Sequence, residues 1–259
     1  MIPIGDDNPT VRVPIATIFL LVAMFAVWIL VQGAGLDEGL LAASICNLGF
    51  VPGELTHLAP LGSGIPIGPG LECVIDNQSI NVLTPLISMF LHGGWMHILG
   101  NALFLWVFGN NIEDVVGRGR FLLFYVTCGL VAAGAHVLSG PASPVPTVGA
   151  SGAISGVMGA YLVLFPKVRV RMLFIFIIIF KVIPIPAWLV LLYWFGLQLL
   201  GGLPQLLSPS PEIAGGVAVW AHVGGFVTGV LLIKLFENPA LVQRRHAILA
   251  SRGEFDALA

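Results

Sequence analysis

The sequence predicts an all-α, polytopic membrane protein: a bundle of six spanning helices with a long first outside loop lying partly in the bilayer. Three observations carry that expectation. The 259 residues are 57% hydrophobic and only 9% charged, against about 25% charged in a typical soluble domain. Mean hydropathy is +0.98, which excludes both a water-compatible surface and intrinsic disorder. The apolar residues also gather in runs near the ~20 residues a helix needs to cross the hydrocarbon core. With 11 Lys+Arg against 13 Asp+Glu there is no basic excess to follow a phosphate backbone, so no nucleic-acid partner is expected.

The first run covers residues 13–31 and stops at Gly33-Ala34-Gly35. It has no basic leader and is too long for a signal-peptide core, so it reads as a retained span. Further runs cover 95–112, 121–138, 151–165 and 217–236. The stretch 172–203 is apolar but broken by Lys181, Pro184 and Pro186. Proline removes a helical donor and clashes with the preceding turn. The expectation is therefore a re-entrant or interfacial piece over 172–183, then a true span from Ala187.

Charge placement supports a count of six. Basic residues concentrate on the cytoplasmic side of membrane proteins. Arg12, Arg118 and Arg120, the Lys167/Arg169/Arg171 cluster, and Lys234, Arg244, Arg245 and Arg252 all fall on one side of a six-span chain, whereas 34–94, 139–150 and 204–216 contain no Lys or Arg. Both termini are then cytoplasmic. Residues 1–237 form the membrane domain, and 238–259 form a short cytoplasmic tail, either a polar helix or a frayed end. The outside loop 34–94 is rich in Gly and Pro, and its apolar stretch 82–91 is too short to cross. Low charge points to a bacterial inner membrane.

The cysteines say less. Without a CxxC or CxxH pair no structural zinc is expected, and no metal or other cofactor is implied. Cys128, in an apolar run, reads as a buried small hydrophobe. Cys46 and Cys73 share the long loop and can pair only where it faces an oxidising compartment.

Polar groups inside spans are costly and default to functional hypotheses. His97 and Asn101 stand i, i+4 on one face at the start of the second span; Ser151 opens the fourth; His222 lies near the start of the sixth. These spans run the same way, so all four residues share one depth near the outer face. Gly152, Gly156 and Gly159 form a small-residue stripe on the fourth span, as do Gly225 and Gly229 on the sixth. Such stripes let helices approach closely, bringing the Ser151 hydroxyl within reach of the His222 imidazole. That is the minimum nucleophile–base pair. Glu113, Asp114 and Glu237 fall at cytoplasmic ends and Glu212 in a loop, so no carboxylate completes a triad. His97, Asn101 and backbone amides of Gly149, Ala150 and Ser151 are candidate oxyanion donors. Plainer readings stand beside these: Ser151 as a helix N-cap, His222 as an interhelical bond, Asn101 as packing glue. His92 and Trp95 read as loop and interface anchors, and His57, His136 and His246 as incidental.

At these residues the chain resembles the rhomboid intramembrane serine proteases. His92-Gly93-Gly94-Trp95-Met96-His97-Ile98-Leu99-Gly100-Asn101 is similar to the family's second-span signature with its HxxxN core. Glu113 to Phe121 resembles an ExxxGxxxF element, Gly149-Ala150-Ser151-Gly152 the nucleophile motif, and Ala221-His222 with Gly225 and Gly229 the AHxxGxxxG of the sixth span. The resemblance implies Ser151 as nucleophile and His222 as base, with His97 and Asn101 lining an oxyanion hole. It also implies single-span membrane protein substrates cut near the outer face, and a water-filled cavity leading to the dyad. Two features depart from the pattern: some members place an aromatic under the histidine where this chain has Ser155, and a first-loop Trp-Arg pair is absent. Two other classes compete: a rhomboid-like protein that binds or escorts membrane helices without cutting them, and a transporter or channel using His97 and His222 as a proton or metal relay. Intramembrane carboxylates on the outer half and an inverted repeat, both expected of the transporter, are missing from the sequence. Oligomeric state has no sequence signal.

Overall fold

The computed structural model describes residues 2–68, 70–76, 78–176, 179–207 and 218–254. Helices dominate: α1 (Ile15–Leu30), α2 (Glu38–Leu48), α3 (Pro52–Leu55), α4 (Thr84–Ile87), α5 (Trp95–Phe104), α6 (Asn110–Val116), α7 (Arg118–Ser139), α8 (Ser151–Leu164), α9 (Ala187–Leu207), α10 (Val219–Phe236) and α11 (Pro239–Ser251). A five-residue π turn, Leu105–Gly109, joins α5 to α6, so 95–116 is one helical run. Arg118–Ser139, Ala187–Pro204 and Val219–Phe236 are long and apolar enough to cross a membrane; Ile15–Leu30 and Ser151–Leu164 are apolar but shorter. The tail is a helix, α11, capped by the Asn238 side chain. Glu212 and Val217, used above to bound a loop and the last span, lie outside the described residues.

The core is organised around α8, whose residues Ala153 to Tyr161 are all buried. A helix apolar on every face belongs in a bundle's interior. Small residues explain how tightly it is held. A Cβ on Gly225 would collide with the Gly152 carbonyl oxygen, one on Gly229 with that of Gly156, and one on Gly159 with that of Phe226. The two stripes therefore do face each other, backbone against backbone. Cys128 is buried beside Gly156, as a small hydrophobe would be. Large apolar side chains such as Phe19, Val22, Leu123, Leu231 and Leu235 point outward, the inverse of a soluble surface.

Two corrections apply to the all-α expectation. Residues 172–176 and 179–183 are extended rather than helical: β4 (Arg169–Phe176) and β5 (Ile179–Pro186) pair antiparallel, and the N-terminal strand β1 (Ile2–Asp6) pairs with β4. The alternation Val168-Arg169-Val170-Arg171-Met172, buried at the apolar positions and exposed at the arginines, is a strand period rather than a helix period. Pro184 and Pro186 lie on β5, the outer strand, where proline is tolerated in sheets. The second correction is in the long loop, where β2 (Gly64–Gly68) and β3 (Leu71–Val74) form a second hairpin. A Cys46–Cys73 disulfide ties β3 to α2. The apolar stretch 82–91 folds into short helical turns around α4.

The end carrying the three-stranded sheet is densely cross-linked. Glu113 accepts from the Ala16 amide at 3.0 Å and the Thr17 amide and hydroxyl at 2.8 Å, closing the start of α1. Asp114 pairs with Arg12 at 3.2 Å and Arg245 at 3.3 Å. Arg245 donates to Asn8, Asn8 to the Tyr161 hydroxyl, and Tyr161 to Asp6. Gly117, with φ +89° between α6 and α7, makes the turn that keeps Glu113 and Phe121 on this end.

Candidate active site

At the opposite end α5, α8 and α10 all begin, and their first turns surround a cavity of about 690 Å³. Ser151, His222, His97, Asn101 and Gly149 all line it.

Ser151 is the first residue of α8, and Ala150, in a helical conformation, takes the cap position without any side-chain bond. The hydroxyl is therefore not committed to capping. It lies 2.7 Å from His222 Nε2, across the glycine-lined seam between α8 and α10. His222 is buried, and its other ring nitrogen, Nδ1, lies 2.9 Å from Gln198 Oε1 on α9. An amide oxygen can only accept, so Nδ1 carries the proton and Nε2 presents a lone pair to the serine O–H. The Trp194 ring, one turn earlier on α9, lies 5.8 Å from the imidazole at a 40° tilt. Ser155 donates its hydroxyl to the Ser151 carbonyl at 2.6 Å.

The other wall is built around Gly149. Its φ of +122° favours glycine, and a Cβ there would sit 2.6 Å from His97 Nε2 and 3.5 Å from Asn101 Nδ2. His97 Nδ1 accepts from the Gly93 amide at 3.3 Å, which leaves Nε2 as the protonated, donating nitrogen. Asn101 Nδ2 is buried without a partner. Two N–H groups thus converge beside the Gly149 α-carbon. The Gly149 amide itself donates to the Ser88 carbonyl at 2.9 Å, so this residue contributes space rather than a donor. The amides opening α8 have no intrahelical acceptor, which leaves those of Ala150 and Ser151 as the backbone candidates.

Some residues fall where the sequence reading put them. The His92 backbone is clamped by the Gln32 amide through bonds of 2.8 and 2.9 Å, and Trp95 packs edge-on against Trp28 at 5.6 Å. Others were missed. His136 lines the cavity and bonds to Thr147 at 3.1 Å, so it is not incidental there. Gln198 and Trp194 were not singled out at all. Gln198 did carry a signal, since it is an amide inside an otherwise apolar run and intramembrane polar groups demand partners. Among the described residues, no group of three or more His, Cys, Asp and Glu side chains is placed to hold a metal.

The family model for the rhomboid domain matches residues 77–238. The chain is 43% identical to the rhomboid protease GluP of Bacillus subtilis (strain 168) over 81 residues, 31% of this chain and 15% of that protein. It is 36% identical to the putative rhomboid protease YdcA of the same bacterium over 89 residues, 34% of this chain and 43% of YdcA. Rhomboid protein 1, mitochondrial, of Saccharomyces cerevisiae is 30% identical over 176 residues, 63% of this chain and 44% of that protein. The matched region is less than half the length of each of these relatives. The domain match covers the Ser151, His222, His97 and Asn101 positions and more than half of the sequence, and the chain belongs to the rhomboid family.

Proposed function

We propose that this protein is an intramembrane serine endopeptidase that cuts single-span membrane proteins near the outer membrane face with a Ser151–His222 dyad. The observation that carries the reading is the 2.7 Å contact between His222 Nε2 and an uncapped Ser151 hydroxyl at the wall of a cavity. His222 takes the hydroxyl proton as the oxygen attacks the scissile carbonyl. The oxyanion then receives hydrogen bonds from His97 Nε2–H and the unpartnered Asn101 amide. The imidazolium returns its proton to the leaving amine, and water entering through the cavity releases the acyl product.

The membrane arrangement belongs to the same proposal. Six spans are α1, the run 95–116, α7, α8, α9 and α10, with the sheet-bearing, arginine-rich end in the cytoplasm and the site end outside. The β4–β5 hairpin lies at the cytoplasmic interface, and the disulfide-bearing loop lies outside, in a bacterial inner membrane. What supports this orientation is the absence of Lys and Arg from 34–94 and 139–150, together with a disulfide that needs an oxidising compartment.

The test is a fluorophosphonate probe with detergent-solubilised protein, followed by incubation with a panel of single-span substrates in liposomes. Labelling and cleavage by wild type that vanish in Ser151→Ala and His222→Ala support the proposal. An unlabelled wild type that still retains membrane helices points instead to a non-cutting, helix-binding member of the family.

A further inference from the structure

We propose that Gln198 is a positioning residue for His222, serving in the place a carboxylate occupies in a catalytic triad; this rests on the protease reading above. The observation is the second hydrogen bond of the imidazole. Nδ1 lies 2.9 Å from Gln198 Oε1 while Nε2 lies 2.7 Å from Ser151 Oγ, so the ring is held at both ends, from α9 and from α8. The Trp194 ring on the same helix lies beside the imidazole, its centroid 5.8 Å away and tilted by 40°. With Ser155 in place of an aromatic on α8, α9 supplies the acceptor that orients His222 and the aromatic ring nearest to it.

Two consequences follow from the chemistry of an amide. Its oxygen selects the tautomer in which Nε2 is free to accept the serine proton, which a ring turned over or protonated on Nε2 cannot do. As a neutral acceptor, it stabilises the imidazolium by hydrogen bonding alone and adds no buried charge, which a carboxylate at this depth would bring. The other titratable groups on this cavity are His97 on α5 and His136 on α7; among the described residues lining it there is no carboxylate or ammonium. Changes at residue 198 should therefore register in the titration of His222.

The experiment compares Gln198→Leu and Gln198→Glu with wild type in pH profiles of fluorophosphonate labelling and substrate cleavage. Gln198→Leu removes the acceptor and should lower the plateau rate at least about tenfold, with KM unchanged, because general-base catalysis contributes about 10²–10⁴ and depends on ring orientation. Losing the acceptor also disfavours the imidazolium, so the acidic limb should move to lower pH; Gln198→Glu should move it to higher pH. Opposite limb shifts in the two variants establish the role. A wild-type plateau and limb in Gln198→Leu overturns it, and so does a lowered plateau with an unmoved limb, which is what a purely packing role would produce. These outcomes presuppose a labelled wild type. If wild type is not labelled and Ser151→Ala makes no difference, the protease reading and this one fall together.

Discussion

The two ends of the bundle solve opposite problems with similar residues. At the sheet-bearing end, Glu113, Asp114, Arg12, Arg245, Asn8, Tyr161 and Asp6 form a chain of bonds that ties the segment before α1, and α11, to α6 and α8. At the cavity end, one hydrogen bond crosses from α8 to α10, an asparagine amide has no partner, and a glycine keeps space open beside two donors. Groups that hold the fold share several partners each; groups placed to meet a substrate keep part of their bonding capacity free, and a buried donor without a partner costs about 1–3 kcal/mol.

The comparison can be broken most severely at the dyad. Ser151→Ala or His222→Ala should reduce cleavage by about 10⁴-fold or more while leaving thermal unfolding nearly unchanged; a large loss of stability would mean the pair is structural. Gly225→Val comes next. Its side chain must displace the Gly152 carbonyl, so the helices separate and labelling disappears although both dyad residues remain. Full activity would contradict the close packing. Asn101→Ala should slow turnover about 100–1000-fold, as loss of an oxyanion donor does, and should cost little stability because its amide nitrogen has no partner to lose.

The other end should respond in the opposite sense. Asp114→Leu leaves the Arg245 guanidinium buried without its carboxylate and should cost about 3–5 kcal/mol of stability in detergent melts. Molecules that remain folded should cleave at the wild-type rate, and a selective loss of turnover would show that the two ends are coupled. The smallest effect concerns pH. Burial holds the Asp6 carboxyl up at about 6, above its ordinary value of 3.8. Because the folded state favours the protonated form, the stability from this group is fully present below about 3.8 and is lost as pH rises towards 6. Melting midpoints should therefore fall slightly across that window in wild type, and Asp6→Asn should flatten that part of the slope. An identical slope in both proteins would remove Asp6 as its source.

Much of the helical frame was legible because spans are written as long apolar runs. The start of a helix at Ala187 and the common end of the bundle shared by His97, Asn101, Ser151 and His222 could be read from spacing and polarity, whereas the tail, open in the sequence between a polar helix and a frayed end, was not decided by them. The hairpin at β4–β5 was legible in principle: Val170 and Met172 alternate with Arg169 and Arg171 at a period of two. It was obscured by the surrounding apolar residues, because total hydropathy does not distinguish a strand from an interrupted span. Its third strand, β1, was not legible, since pairing with residues some 165 positions away is decided by register and not by local pattern.

By itself the sequence determined that this chain is apolar, helical and rhomboid-like, and which serine, histidines and asparagine are the unusual polar groups. Those properties follow from residue type and periodicity, which are local. Tertiary structure alone decided that Gln198 bonds to His222 with Trp194 beside it, that the Gly149 amide is taken by Ser88, and that Arg245 of the tail reaches Asp114. Each of these is a contact between helices or loops, and hydrogen bonds have a reach of about 3 Å. Such contacts exist only once packing has set the rotation and depth of every helix.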